Sequence, residues 1–321
     1  MKKLLSLAIA LVMGLSMTAP VLAVGEVGGN EHPYSDETEI KIDKEIKLTN
    51  EGTVNPAETF EFVVGAGTVN GTGVSGVTAP EINDFTISFD QEQVASSTDL
   101  QLPTFEHVGV YTYEISETAG NTAGMRYNTE AYKLQVTVLN DGDGGFKRVV
   151  TLVDGKNVKT DIISNTFEAG KLVVTKEITG NFSQSEDTFE VTVTLTPDEG
   201  KNLKEGPITV TGAAGQTGSV VKNEDGTVTV TFTVTHNSTV TIANVPYDVS
   251  YKVTEDAGDY TATITGDNGE INKASQEVKI VNNLEQEVAT GVNLDNLPYI
   301  LVLALVGVGL ISFTVRKRVR N

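Results

Sequence analysis

Apolar and polar residues alternate over many short stretches of this chain, most clearly at residues 60–64, 85–89, 134–138, 189–195 and 228–234. Clusters of Gly, Asn and Asp separate these stretches, and no long segment carries helical periodicity. Period-two runs of this length, closed by turn residues, predict an all-β chain folded into β-sandwiches. Asn140-Asp141-Gly142-Asp143-Gly144-Gly145 invites a calcium-loop reading, but Gly145 and Leu152 stand at its fifth and twelfth ligand positions. A hairpin turn is expected there instead.

The pattern occurs twice. Ile42-Asp43-Lys44-Glu45-Ile46 returns as Val174-Thr175-Lys176-Glu177-Ile178, and Tyr113-Glu114-Ile115-Ser116-Glu117 returns as Tyr251-Lys252-Val253-Thr254-Glu255. Two tandem sandwiches are implied, over residues 38–168 and 169–285, with the boundary near Glu168-Ala169-Gly170. Residues 24–37, rich in Gly and acidic residues, read as a flexible leader.

Residues two apart in a strand share a face, and by this count several hydrophilic side chains fall on the wrong one. Lys44 is in phase with Ile40, Ile42, Ile46 and Leu48, and Lys176 with Leu172, Val174 and Ile178. Glu117 follows Tyr111, Tyr113 and Ile115 in phase, and Glu255 follows Val249, Tyr251 and Val253. Asn165 lies between Ile163 and Phe167, and Asn282 continues Val278 and Ile280. Each domain therefore turns one Lys, one Glu and one Asn inward, in the same chain order.

A buried charge must pair or change its protonation state. Burial favours a neutral, nucleophilic amine and a protonated carboxyl. Such an acid can donate to an Asn carboxamide oxygen, polarise its carbon and move protons while ammonia leaves, giving an amide between two side chains. The alternative is a buried Lys–Glu ion pair with Asn at a strand end.

The two ends add an address. Lys2 and Lys3 precede an apolar stretch and Pro20-Val21-Leu22-Ala23, the layout of a signal peptide over residues 1–23. Residues 297–315 carry no charge and are followed by Arg316, Lys317, Arg318 and Arg320, which predicts a transmembrane helix with a cytoplasmic basic tail. Before them stands Glu287-Val288-Ala289-Thr290-Gly291. Motif, span and basic tail over residues 286–321 look like a sortase sorting signal, cut between Thr290 and Gly291, with Ala289 where the related Glu-Val-Pro-Thr-Gly signal has Pro. A plain single-span membrane protein is the other reading. Cysteine is absent, so an exported chain of 321 residues is not held by disulfides. Its 43 acidic and 23 basic residues, a formal net charge of −20, argue against nucleic acid.

Over residues 38–321 a family likeness now becomes visible. Thr104-Phe105-Glu106-His107-Val108-Gly109-Val110-Tyr111 and the strand after it resemble the streptococcal pilin isopeptide-linkage domain, and the second domain looks like a CnaB-type domain. The pair, with its Glu-Val-x-Thr-Gly ending, is similar to the T-antigen-type major pilins of Gram-positive bacteria. The resemblance implies two immunoglobulin-like (CnaB-type) sandwiches of reverse topology, with isopeptide bonds joining Lys44 to Asn165 beside Glu117 and Lys176 to Asn282 beside Glu255. It implies a secreted, wall-anchored pilus subunit, with sortase, further copies of itself, ancillary pilins and peptidoglycan as partners and the membrane as a station before sorting. The Thr290 carbonyl would pass to a Lys lying shortly before the last strand of the next subunit's first domain. Lys159 is the first candidate and Lys156 the second, although the Tyr-Pro-Lys-Asn pilin box is missing.

A wall-anchored adhesin or minor pilin using the same domains as a stalk is the competing reading. An exported enzyme finds little support. His32, His107 and His236 are isolated and offer no metal pattern, no cofactor loop stands out, and no nucleophile elbow is present.

Overall fold

A computed structural model describes residues 40–287 apart from 143, 161, 205 and 213–217, together with short strands at Ala23–Gly25 and Tyr34–Asp36 and a helical stretch at 301–306. The expected cleavage site after Ala23 falls within the first of those strands, after its first residue. Sorting-motif residues Val288, Ala289, Thr290 and Gly291, and the proposed span apart from residues 301–306, lie outside the described residues.

Two β-sandwiches follow one another. In the first, the larger sheet runs Phe85–Phe89, Glu58–Val64, Gly109–Glu117, Tyr132–Asn140, Phe146–Val153, Tyr34–Asp36 and Ala23–Gly25, with Thr68–Asn70 and Lys159–Thr160 at its margins. Strand Tyr34–Asp36 lies within the stretch expected as a leader, and Ala23–Gly25 runs into it from Ala23. The opposing sheet runs Ala95–Asp99, Lys41–Leu48, Ile162–Phe167 and Met125–Arg126. In the second sandwich one sheet is Thr209–Gly212, Thr239–Pro246, Ala169–Thr179, Ser275–Asn283 and Thr261–Thr265. The other is Ser219–Lys222, Val228–Val234, Phe189–Pro197, Val249–Glu255 and Asn268–Glu270.

Alternation drives the layering. Strand Phe189–Pro197 buries Phe189, Val191, Val193 and Leu195 and turns the residues between them outward, which leaves one apolar face per strand to be covered by the other sheet. Phe60, Ile87, Ile115, Leu134 and Ile163 belong to the first core, and Val193, Val230, Ile242 and Ile280 to the second. The count along Lys41–Leu48 fails at its end, because Leu48 is exposed. Residues 140–146 close a hairpin between Tyr132–Asn140 and Phe146–Val153, with the Gly145 N–H donating to Asp141 Oδ1.

Within residues 40–168 and again within 169–285, the first and last strands run side by side and parallel. Lys41–Leu48 pairs with Ile162–Phe167, and Ala169–Thr179 with Ser275–Asn283. Parallel neighbours cannot be joined by a tight turn, so the whole remainder of each domain serves as the crossover between them.

Only Glu168 separates the last strand of the first sandwich from the first strand of the second. Polar contacts cross this junction in both directions, and Ala123 of the first sandwich packs into the second core. Arg126 donates through both Nη atoms to Asp248 (2.6 and 3.0 Å) and through Nε to Glu168 (2.8 Å). Asn244 accepts from the Val54 N–H (2.8 Å) and returns a bond to the Val54 carbonyl (2.7 Å). Gly124 sits between the two domains at φ +77°, where a Cβ would stand 2.5 Å from the Glu168 carbonyl oxygen and 2.9 Å from Pro246. Both the left-handed backbone and the crowding reject a side chain. Gly124→Ala is expected to cost about 1–3 kcal/mol, read as a lower urea midpoint. An unchanged midpoint would mean the junction is slack.

Candidate functional site

Lys44 lies three residues into the first strand, opposite Ile163 in the parallel register, and Asn165 is two residues beyond Ile163 on the same face. Lys176 lies opposite Ile280, with Asn282 two residues beyond it. The offset is identical in the two domains. Each Lys and its Asn therefore belong to one sheet, and the Glu comes from the other. Glu117 ends the strand Gly109–Glu117 and Glu255 ends Val249–Glu255.

In the first sandwich the Lys44 amine contacts Glu117 Oε2 at 2.7 Å, and Asn165 Nδ2 donates to Glu117 Oε1 at 2.5 Å. All three side chains are buried. One carboxyl group thus touches the amine nitrogen and the carboxamide nitrogen together. The carboxamide oxygen accepts the backbone N–H of Asn128 at 2.9 Å. A backbone N–H can only donate, so this contact sets which way the amide faces. The sequence reading had Glu117 donating to that oxygen. The structure instead gives the oxygen to Asn128 and turns the carboxyl toward nitrogen.

In the second sandwich the Lys176 amine contacts Glu255 Oε1 at 2.6 Å, both side chains fully buried. Asn282 is buried in the predicted register, yet neither of its carboxamide atoms has a hydrogen-bond partner, and Glu255 Oε2 has none either. Unpartnered buried polar atoms are rare and cost about 1–3 kcal/mol each. The structure thus joins Lys176 to Glu255 across the two sheets and holds Asn282, on the strand paired with that of Lys176, without a side-chain hydrogen bond.

Each amine also rests on an aromatic face, Lys44 Nζ 4.3 Å from the Phe60 ring centroid and Lys176 Nζ 4.3 Å from that of Phe189. Burial pulls the Lys44 amine below its ordinary range, opposed by the charge and hydrogen bond of Glu117 and by the charge of Glu58. Burial likewise lowers Lys176, opposed by Glu255. Sequence reasoning missed Asn128, Phe60 and Phe189. No side-chain pattern reveals a backbone donor, but the two rings do leave a trace, since Glu58-Thr59-Phe60-Glu61 returns as Asp187-Thr188-Phe189-Glu190.

The acceptor candidates lie together at a margin of the first sandwich. Lys159 is exposed on the two-residue strand Lys159–Thr160, opposite Val153. Lys156 is exposed in the turn before it, where Asp154 Oδ1 accepts the N–H groups of Lys156 and Val158. Glu287 is exposed just after the second sandwich. Of the histidines, His236 accepts the Ile178 N–H through Nδ1, His107 offers its backbone carbonyl to the Tyr111 hydroxyl, and His32 lies outside the described residues. Among the described residues no group of three or more His, Cys, Asp or Glu is placed to hold a metal ion. A cleft of about 510 Å³ opens at the domain junction beside Asn50, Thr53, Lys171 and Asn244, and none of the six buried residues lines it.

Residues 40–168 match the family described as the Spy0128-like isopeptide containing domain. That match spans the first sandwich. Residues 170–284, read from sequence as CnaB-type, match a family described as Domain of unknown function (DUF7601). A curated relative named Pilin, from Streptococcus pyogenes serotype M1, is 25% identical over 311 residues, covering 87% of this chain and 90% of that protein. The crystal structure of the major pilin from Streptococcus pyogenes superposes with a TM-score of 0.51 at 20% identity, over 80% of this chain and 100% of that one. A single-residue mutant of the same pilin gives 0.51 at 20% identity, over 77% and 99%. At such identity these structures establish a shared fold.

Lowered amines carry a pH signature. Below the folded-state pKa both folded and unfolded chains hold the proton, and the penalty of burying an ammonium is in full force. Between that value and the ordinary 10.5, the unfolded chain binds more protons, so stability rises with pH. A variant with Asn165→Ala and Asn282→Ala, which keeps both Lys–Glu contacts, should show urea midpoints that climb with pH toward 10.5. A flat profile would contradict buried, titrating amines.

Proposed function

We propose that this chain is the backbone subunit of a sortase-assembled surface pilus, each sandwich closed by one internal Lys–Asn isopeptide bond. The observation that carries the reading is the repeated placement of a buried Lys against a Glu, with an Asn two residues past the Lys's partner on a parallel neighbouring strand. The pilin relative and the isopeptide-containing family of the first domain agree with it.

The chemistry follows from the contacts. Glu117 takes a proton from the Lys44 ammonium, and the freed amine attacks Asn165 Cγ. Charge developing on the carboxamide oxygen is met by the Asn128 N–H. A bond forms from Nζ to Cγ and the bond from Cγ to Nδ2 breaks. The carboxyl relays a second proton from the attacking to the departing nitrogen, which leaves as ammonia, and ends protonated. Each domain is its own substrate and reacts once. In the second sandwich the same step would consume the unpartnered Asn282 nitrogen and replace a buried ion pair with an amide, removing a costly pair of charges.

Such a bond closes a loop of about 120 residues in the first domain and about 105 in the second, and by loop-entropy reasoning borrowed from disulfides each contributes about 5 kcal/mol. Polymerisation would follow by transfer of the Thr290 carbonyl to Lys159, or to Lys156, of the next subunit. The interface is then head-to-tail, and repetition gives a fibre. The last subunit would pass instead to peptidoglycan.

Intact-mass spectrometry of the processed chain should find a deficit equal to two ammonia molecules, reduced to one by Lys44→Ala, Lys176→Ala, Glu117→Ala or Glu255→Ala. The full calculated mass would refute the condensation. Immunoblots of wall extracts should show a ladder of SDS-resistant species, lost when Lys159 and Lys156 are both replaced. A single wall-linked band would favour an anchored adhesin.

A further inference from the structure

The two reacting centres share a second tier. Tyr127 meets the Phe60 ring edge-on, with centroids 6.1 Å apart, and Tyr260 meets Phe189 in the same way at 5.1 Å. The Tyr127 hydroxyl donates to Glu58 Oε1 and accepts the Thr122 N–H at 3.1 Å. The Tyr260 hydroxyl donates to Asp187 Oδ2 at 2.5 Å and accepts the Gln184 N–H at 3.1 Å. In each domain the acid stands two residues before the Phe on which the amine rests. Two residues after that Phe comes the residue paired with the reacting carboxyl, Phe62 opposite Glu117 and Val191 opposite Glu255.

Packing alone does not require this arrangement, since a phenylalanine in place of either tyrosine would present the same ring edge. The hydroxyl brings a carboxylate into a half-buried setting, and Glu58 Oε2 is left buried with no partner, a costly placement. The tyrosines reach it from different distances along the chain, ten residues after Glu117 in one domain and five after Glu255 in the other. What is common to the two sites is therefore spatial. Charge does not explain it equally well. Glu58 bears on the Lys44 amine, whereas at Lys176 the pull opposing burial comes from Glu255.

We propose that Tyr127 with Glu58, and Tyr260 with Asp187, are positioning pairs for bond formation: the anchored hydroxyl fixes the tyrosine, the tyrosine fixes the Phe ring, and the ring holds the Lys amine dry and aimed at the carboxamide. The inference rests on the isopeptide reading. It assigns no proton transfer to either pair, and Glu117 and Glu255 keep that role. Misplacement of a nucleophile by a fraction of its approach distance is enough to slow an intramolecular attack severely.

Full-length chain pulse-labelled in cell-free synthesis, chased and quenched in denaturant, yields each crosslink separately when the Lys44–Asn165 and Lys176–Asn282 peptides are quantified by mass spectrometry. Tyr127→Phe should slow the first link by roughly tenfold and leave the second at the wild-type rate, while Tyr260→Phe should do the reverse. The untouched domain in each molecule controls for synthesis and folding at large, and circular dichroism in a Lys44→Ala, Lys176→Ala background checks that the altered sandwich has formed. Glu58→Gln and Asp187→Asn keep an oxygen that accepts the hydroxyl and should restore near wild-type rates. Glu58→Ala should match Tyr127→Phe, and the double variant should be no slower than either, as expected for two groups acting as one. Tyrosine variants that condense at the wild-type rate, or Gln and Asn variants as slow as Ala, would overturn the proposal. A wild-type chain that forms neither link would instead remove the isopeptide reading beneath it.

Discussion

An amine and a carboxyl pressed together in an apolar interior, at 2.7 Å in one sandwich and 2.6 Å in the other, set the terms for the rest of the molecule. Removing two charges from water is so costly that an ion pair placed there is no gain over apolar residues of the same size. A chain that does this twice, on opposite sheets of two sandwiches, spends folding energy to hold groups in reactive contact. Aromatic faces under both amines and a backbone donor at the Asn165 oxygen are the surroundings such a contact needs if it is to react rather than simply persist.

Topology makes that contact possible. Because the first and last strands of each domain are parallel neighbours, Lys and Asn arrive at one another from the two ends of the domain's sequence. The carboxyl comes from the facing sheet, at the end of a strand in the middle of the domain. No short segment contains the trio, so none of it can assemble before the sandwich closes. Chemistry of this kind would be tied to completed folding, since an unfolded chain holds these groups apart.

Much of this was legible in the sequence because strands have a period of two. Lys44 and Lys176 among Ile, Leu and Val, and Asn282 after Val278 and Ile280, announced their direction. What failed had physical reasons as well. Leu48 kept the phase but lies exposed at a strand end, where alternation no longer decides burial. The orientation of Asn165 depends on the Asn128 backbone N–H, which has no side-chain signature. Tyr127 and Tyr260 converge on equivalent places from unequal loop lengths, so no fixed spacing marks them. Phe60 and Phe189 were within reach, since each follows an acid and a Thr and precedes a Glu, but a buried Phe in a strand looks like any other core residue until a cation is found on its face.

If the proposed bonds tie Lys44 to Asn165 and Lys176 to Asn282, the chain becomes two closed rings in series. A protease that nicked the turn at residues 154–158, or any other loop inside such a ring, would then leave both fragments attached. The short bridge between the rings has no such redundancy, for a cut near Glu168 would part the molecule. That peptide segment runs from strand to strand with one intervening residue, and Arg126, Asp248 and Gly124 close around it. At the junction, therefore, resistance to cleavage would have to come from shielding, and the clamp across it supplies that cover.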